Sequence, residues 1–319
     1  MLSRQDVAAL LTLDECTAAV AEAFRLRGEG KLQPSGILGV PAFGGAFHIK
    51  AAVLRNLFAA KVNGNFTDNP ARFSLPAIQG VIVLCDAENG RPLALMDSIE
   101  ITTLRTAAAT SVAAQHLARS SSAVATICGC GTQGRAQLRA LARAFPLRLA
   151  VVWDVEPKRA RLMADELGPE LGIEITPAAG LGAAISQSDL CVTCTPSRKA
   201  FLRREWLSPG TFIAAVGADS AEKQELEPSI LSSAKVVADV LDQCVEIGEL
   251  HHAIAARATT RERVYAELSE IAAGLKPGRT SEEEITVFDS TGTALQDVAA
   301  AAAVYEKAAR LGRGVRLDL

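Results

Sequence analysis

Apolar and polar positions follow two different patterns along this chain, and the change falls near residue 120. The first twenty residues carry apolar positions at helical spacing, which predicts one amphipathic helix. Four apolar runs typical of β-strands follow, at 45–54, 56–64, 80–86 and 92–98. The last two flank the turn Asp86–Pro92, which has the hairpin signal Asn-Gly at its tip. An Ala-rich segment from Ile101 predicts one long helix. The first region is therefore predicted to hold an antiparallel sheet and to end between residues 118 and 122.

Beyond that boundary, apolar strands alternate with helical segments. The predicted strands lie at 124–128, 148–154, 173–178, 189–195, 211–218 and 235–240. Strands and helices that alternate at this spacing form right-handed βαβ units around a mostly parallel sheet. From Ile285 onward the pattern predicts a strand, a turn and a long Ala-rich helix. The predicted fold class is therefore α/β, with a doubly wound parallel sheet in the second region.

A glycine-rich turn joins the first strand of the second region to its helix. Gly129, Gly131 and Gly134 stand in the order Gly-x-Gly-x-x-Gly, and the next strand ends in Asp154. The first glycine allows a tight turn, the second lets the backbone approach a pyrophosphate, and the third lets helix and strand pack closely. Asp154 would accept hydrogen bonds from ribose hydroxyls and repel a 2′-phosphate, which favours NAD; the basic residues 158–159 could accommodate NADP. This context predicts a Rossmann-type dinucleotide site, and the alternative is a glycine turn that binds no nucleotide.

Composition excludes several classes of function. The chain has 319 residues, a formal net charge of -3 and a pI near 5.9, and its basic residues are scattered, so nucleic acid is not an expected partner. No apolar run is long enough for a membrane span, and the first residues do not resemble a signal peptide, so we expect a cytoplasmic protein. Seven cysteines without an export signal indicate free thiols. Cys191 and Cys194 have the spacing of half a zinc site, but they lie in an apolar strand without a second ligand pair, so no metal is expected.

Several polar segments together resemble the ornithine cyclodeaminase/μ-crystallin family, which includes an archaeal-type alanine dehydrogenase and several imine reductases. These segments are 59–70, 75–98, 102–118, 216–228 and 278–299, and they occur in the family's order. The resemblance implies an NAD(P)-binding Rossmann domain at 120–292. It also implies an α+β substrate-binding and dimerisation domain at 1–119 and 293–319, and a homodimer.

The resemblance also implies which residues act. Lys61 would face the substrate, and a cation on an apolar strand needs an anion or a polar cavity. Arg105 would lie near the nicotinamide and the substrate carboxylate, which its planar fork suits. Asp219 follows the strand TFIAAVG and would donate and accept the proton at the substrate nitrogen; it is also a cofactor contact. Further cofactor positions are Thr132, Gln133, Thr195, Val216, Gly217, Lys223 and Ser290, and Thr291 completes the substrate-binding set.

The chain departs from the family pattern at one point. Many members carry a substrate-binding Arg or Lys roughly where Ser35 and Gly36 stand here. The next cation is Lys50, which shares one side of an alternating run with His48. Our hypothesis is that Lys50 supplies the missing positive charge, and the alternative is a plain surface lysine.

Three functions use these parts. The first, which we favour, is an NAD(P)-dependent imine reductase or amino-acid dehydrogenase, such as a pyrroline-2-carboxylate reductase or an alanine dehydrogenase. The second is an ornithine cyclodeaminase, which uses NAD without net redox change. The third is a μ-crystallin-like binding protein, and the presence of both Arg105 and Asp219 argues against it.

Overall fold

The chain begins with two helices where the sequence analysis predicts one. The structure is a computed structural model that describes residues 1–32 and 35–317. Helix α1 spans Arg4–Leu10 and helix α2 spans Leu13–Gly28. The prediction of a single helix is wrong because a second start signal interrupts it: Thr12 caps α2 through its own hydrogen-bonded capping box.

An antiparallel sheet of five strands follows, in the order β1-β2-β3-β4-β5. The elements of this part are β1 (Gly36–Ala42), β2 (Gly45–Leu54), β3 (Leu57–Asn65), helix α3 (Asn69–Phe73), β4 (Ile78–Asp86), β5 (Pro92–Asp97) and helix α4 (Ser98–Leu117). The four predicted strands, the hairpin between β4 and β5 and the long helix are all confirmed. Strand β1 was not predicted, because its residues are almost all exposed and carry no alternation.

The second part is built on an eight-stranded parallel sheet, which confirms the predicted α/β class. Its order is β14-β13-β15-β11-β9-β6-β7-β8, and a small parallel pair, β10 and β12, lies outside it. The strands are β6 (Val124–Cys128), β7 (Leu149–Trp153), β8 (Glu174–Pro177), β9 (Leu190–Thr193), β10 (Arg198–Leu202), β11 (Phe212–Ala215), β12 (Gln224–Leu226), β13 (Lys235–Ala238), β14 (Ala266–Glu267) and β15 (Thr286–Asp289).

Helices lie between these strands, and α12 follows the last of them. They are α5 (Thr132–Ala144), α6 (Pro157–Leu171), α7 (Leu181–Ser186), α8 (Pro228–Ser233), α9 (Leu241–Ile247), α10 (Glu249–Ala255), α11 (Leu268–Ala272) and the C-terminal α12 (Ala294–Leu311). Two 3₁₀ helices lie at Arg204–Trp206 and Arg261–Arg263. None of the helices in the described ranges is long and apolar enough to cross a membrane.

The central strands of the parallel sheet are apolar along their whole length. Every residue of β9, β11 and β15 is buried, as expected for parallel strands covered on both faces. Cys128, Cys191 and Cys244 belong to this core, and all seven cysteines, which lie within the described residues, are free. Burial raises the pKa of Cys130 to about 12, so this thiol stays protonated near neutral pH.

The chain divides into two compact units. Unit 1 comprises Met1–Ala108 and Thr293–Leu319, and unit 2 comprises Ala109–Gly292. The first boundary between the units lies within α4. Within unit 1, α12 packs against α2 and strands β2 and β3.

Candidate functional site

The glycine turn of unit 2 joins β6 to α5. Gly129 has a φ of +106°, and a side chain there would also place its Cβ 2.9 Å from the carbonyl oxygen of Cys194. A Cβ at Gly134 would overlap the carbonyl oxygen of Gly129. The first and third glycines are therefore required by the protein's own packing, as the sequence analysis assigned.

The middle glycine is different. Gly131 has an ordinary φ of -79°, and a Cβ built on it meets no atom within 4 Å. It is the residue before α5, whose first turn contains Thr132 and Gln133. The first N–H groups of a helix have no partner within the helix and carry a partial positive charge. The open space beside Gly131 and these N–H groups fit a bound pyrophosphate.

Asp154 follows β7, the strand beside β6. Its Oδ2 accepts a hydrogen bond of 2.8 Å from the N–H of Cys130, inside the glycine turn, and its Oδ1 accepts one of 3.0 Å from the N–H of Glu156. The side chain is half-buried. Carboxylate oxygens have about four lone-pair sites in all, so Asp154 keeps capacity for ribose hydroxyls.

Four more of the predicted cofactor residues follow strands on the opposite side of β6. Thr195 comes after β9, Val216 and Gly217 come after β11, and Ser290 comes after β15. Because the carboxyl ends of parallel strands meet at one edge of a sheet, the predicted contacts follow a single edge from Asp154 to Ser290.

Two buried carboxylates that the sequence analysis missed hold these loops. Glu225 accepts hydrogen bonds from Thr195 and Gly217. Asp239 accepts hydrogen bonds from the hydroxyls of Ser290 (3.0 Å) and Thr291 (3.2 Å) and from the N–H of Gly292. Asp239 directly follows the apolar strand β13, a position that could have identified it from the sequence. Glu225 is the middle residue of β12 and stands among polar residues, so the sequence carries no comparable signal for it.

Asp219 is exposed and paired with another predicted residue. Its Oδ1 lies 2.6 Å from Nζ of Lys223, and about half of its side chain is accessible, at 49%. The carbonyl oxygen of Lys223 lies 2.8 Å from Nε2 of His252. The structure thus brings the predicted proton donor and one predicted cofactor contact together in one turn.

Unit 1 contains a cluster of buried charges. Lys61 on β3, Arg105 on α4 and Asp297 on α12 are 4%, 6% and 1% exposed. Nζ of Lys61 lies 2.7 Å from one oxygen of Asp297, and Nε of Arg105 lies 3.1 Å from the other. Nη1 of Arg105 donates a hydrogen bond of 2.7 Å to Gln296. The sequence analysis predicted both cations but not their anion, because Asp297 reaches them only through the packing of α12.

Burial and charge change the protonation of this cluster. Burial and, less strongly, the nearby charges of Arg105 and Lys50 lower the pKa of Lys61 to about 7, against the opposing effect of Asp297. Burial alone would raise the pKa of Asp297, but Lys61 and Arg105 lower it below its ordinary value. When Lys61 is protonated, the two cations share one carboxylate.

Lys50 lies opposite Lys61 in the register of β2 and β3. Residues paired in this way have side chains on the same face of the sheet, and Lys50 is half-buried. Its place is consistent with the hypothesis of a further substrate cation, which stays a prediction. Thr291, the remaining predicted substrate residue, belongs to unit 2.

A family model, a curated sequence and two solved structures relate this chain to one family of proteins. The family model described as "Ornithine cyclodeaminase/mu-crystallin family" matches residues 1–311. An alanine dehydrogenase of Archaeoglobus fulgidus is 40% identical over 97% of this chain and 94% of its own length. A solved archaeal alanine dehydrogenase dimer with bound NAD superposes with a TM-score of 0.96, at 40% identity over 99% of this chain and 98% of that one. The Thermococcus litoralis Δ1-pyrroline-2-carboxylate reductase, in complex with NADH and L-proline, gives a TM-score of 0.94 at 33% identity over 99% of both chains.

Proposed function

Because the chain belongs to the ornithine cyclodeaminase/mu-crystallin family and is an NAD-dependent oxidoreductase of that family, we propose that it reduces an imino acid or oxidises an amino acid at the α-carbon. Two of its relatives are an alanine dehydrogenase and a pyrroline-2-carboxylate reductase. These substrates share an α-carboxylate next to the carbon that exchanges hydride. The proposed reaction class is therefore that of an imine reductase or amino-acid dehydrogenase.

The buried cluster of unit 1 is the observation that carries this proposal. Two cations, Lys61 and Arg105, share the single carboxylate of Asp297 at positions almost closed to water. Buried charge is costly unless it is balanced, so this cluster favours one further anion. An α-carboxylate supplies that charge, and the guanidinium of Arg105 can bind it in a planar geometry.

Each residue has a distinct part in the proposed mechanism. When bound, the nicotinamide supplies or accepts the hydride. Lys61 and Arg105 hold the carboxylate and so orient the α-carbon. Asp219 donates a proton to the substrate nitrogen or removes one, which as general acid–base catalysis accelerates reactions by roughly 10²- to 10⁴-fold.

The cofactor residues of unit 2 support NAD as the redox partner. Gly131 leaves space for the pyrophosphate, and Asp154 brings a negative charge to the position where NADP would carry its 2′-phosphate. The carboxylate of Asp154 and a 2′-phosphate would repel each other, so NADH is expected to serve better than NADPH.

Turnover assays test the proposed function. The purified protein is given NADH or NADPH with pyrroline-2-carboxylate, with piperideine-2-carboxylate, or with pyruvate and ammonia, and the loss of reduced cofactor is measured. We expect NADH to be consumed with at least one of these substrates. A parallel assay supplies ornithine with NAD⁺. Release of proline and ammonia without net NADH would instead identify a cyclodeaminase, and tight NADH binding without any turnover would indicate a binding protein.

We also propose that the protein is a homodimer, through an apolar face of unit 1. This face consists of Leu38, Val40, Phe43, Phe47, Phe73, Leu75 and Val81, all 40% exposed or more. A groove of about 740 Å³ lies among them. Exposed apolar patches of this kind are typical of interfaces, and the archaeal relative forms a dimer.

A further inference from the structure

Unit 2 contains a chain of buried carboxylates that the proposed mechanism does not use. Glu225, Glu249 and Asp289 are at most 1% exposed. None of them forms an ion pair with any residue of the described ranges. Within the described ranges their hydrogen-bond partners are backbone N–H groups and hydroxyl groups, and none of these partners is a cation. Burial raises the pKa of Glu225 and Glu249, and it raises that of Asp289 to about 7.

Glu225 connects two loops at the carboxyl edge of the sheet. Its Oε1 accepts hydrogen bonds from the N–H (2.6 Å) and the hydroxyl (2.7 Å) of Thr195, which follows β9. Its Oε2 accepts a hydrogen bond of 3.0 Å from the N–H of Gly217, which follows β11. A Cβ at Gly217 would overlap this carboxylate. Since β9 and β11 are neighbours, one side chain fixes the spacing of the two loops.

The other two carboxylates hold Glu225 in place. Glu249 accepts hydrogen bonds from the N–H groups of Glu225 (2.7 Å) and Leu226 (3.1 Å). Asp289, at the end of β15, accepts hydrogen bonds from the first N–H groups of α10, those of Glu249 (3.2 Å) and Leu250 (2.9 Å). The chain of acids therefore runs from β15 through α10 to the loops after β9 and β11.

The strand order indicates which half of a dinucleotide these loops would meet. The glycine turn follows β6, and Asp154 follows β7 on one side of it, while Thr195 and Gly217 lie on the other side. If the pyrophosphate lies at the glycine turn and a ribose at Asp154, the adenosine half occupies the β7 side. The nicotinamide half then extends toward β9 and β11.

Burial of unpaired carboxylates is a poor way to stabilise a fold. Apolar residues of similar size serve a core as well or better, so these acids are better explained by the geometry they impose. We propose that Glu225 is a positioning residue for the nicotinamide half of the cofactor, because it ties the loops of Thr195 and Gly217 together. This inference rests on the proposed assignment of Thr195 and Gly217 to the cofactor site.

The test compares two ligands in the variant Glu225→Gln. The new amide NH₂ must face an N–H donor, either that of Thr195 or that of Gly217, so the hydrogen bond to one of the two loops is lost. We expect the Kd for NADH to rise roughly tenfold or more. The Kd for ADP, which lacks the nicotinamide half, is expected to stay within about twofold. The thermal midpoint without ligand is measured alongside, to check that the variant stays folded at the temperature of the titrations.

Two further variants make the result decisive. Glu225→Asp keeps the carboxylate but is one methylene too short to reach both loops. If Glu225→Gln does not fold, this variant is expected to show the same rise in the Kd for NADH and the same unchanged Kd for ADP. Glu222→Gln is the matched control: it makes the same change three positions away at an exposed side chain, and it should alter neither Kd. An unchanged Kd for NADH, or an equal loss for NADH and ADP, would overturn the proposal. So would a parent protein that binds neither nucleotide. Failure of the proposed substrate would not affect these affinities, because the measurements contain no substrate.

Discussion

Lys61 shows how one buried side chain can make the reaction depend on pH. Its ammonium is almost closed to water, and Asp297 is its ion-pair partner. Burial lowers its pKa from 10.5 to about 7, so in the free enzyme it loses its proton as the pH rises through this value. The unfolded chain keeps the proton up to the ordinary pKa. Between these two values the unfolded state binds more protons, so the contribution of Lys61 to the free energy of unfolding increases with pH.

Substrate binding is expected to weaken as the pH rises, whereas the contribution of Lys61 to stability increases. The proposed role of Lys61 requires a positive charge for the substrate carboxylate, so kcat/KM should fall as the pH rises through about 7. In Lys61→Arg the charge persists at every accessible pH, and this part of the pH profile should disappear even if the maximum is lower. The measurement is kcat/KM for the imino acid from about pH 6 to about pH 9 in both proteins. An identical decline in both would show that another group titrates.

Some residues of the candidate site could be predicted from the sequence, and others could not. The glycine turn and Asp154 were predicted because their spacing within one βαβ unit is itself the signal. Lys61, Arg105 and Asp219 were identified through the family resemblance. Asp297, Glu225 and Asp239 were missed, because each acts on groups that only tertiary packing brings to it.

The elements were predicted best where hydrophobic spacing is strong. The six strands predicted between residues 124 and 240 are confirmed as β6, β7, β8, β9, β11 and β13, whereas the short polar strands β10 and β12 were not predicted. Strand β1 has two glycines and a proline in seven residues and lies at an exposed edge, so it has no alternation to detect. Helices α1 and α2 were predicted as a single helix, because apolar residues at helical spacing lie on both sides of the capping box at Thr12. Short elements such as α9 and α11 have too few turns to show a period.

The start of α5 allows a direct test of the glycine turn. A Cβ at Gly131 meets nothing in the protein, so Gly131→Ala is expected to fold normally, with a thermal midpoint close to that of the parent. The added methyl group would occupy the space proposed for the pyrophosphate, and the Kd for NADH should rise about tenfold or more. Equilibrium titration of NADH, followed by its fluorescence, measures the change.

Gly180→Ala is the matched control for this experiment. Gly180 also precedes a helix of unit 2, α7, and a Cβ built there likewise meets no atom. It follows β8 rather than β6, so its substitution should leave NADH affinity unchanged. Equal affinities in the parent and in Gly131→Ala would mean that the pyrophosphate does not approach this turn.

The molecule as a whole combines a small net charge with a large exposed apolar face. The formal charge of -3 gives little repulsion between copies of a 33.5 kDa chain. The apolar face belongs to unit 1 and includes both the turn between β1 and β2 and the segment from α3 into β4. Burial of such a face in a homodimer would remove it from water, and this supplies the driving force for the proposed assembly.

Phe43 is the best position at which to test that assembly. Its side chain is fully exposed, at 100%, so Phe43→Asp cannot disturb the packing of a single chain. In a dimer formed through the apolar face, the new carboxylate would be buried against apolar groups, and the cost of that burial should separate the subunits. Light scattering after size-exclusion chromatography is expected to give twice 33.5 kDa for the parent and 33.5 kDa for the variant. Leu275→Asp introduces the same charge at an exposed position of unit 2 and should remain dimeric. A monomeric parent would contradict the proposed dimer. A Phe43→Asp variant that keeps the mass of the dimer would show that the subunits meet at another surface.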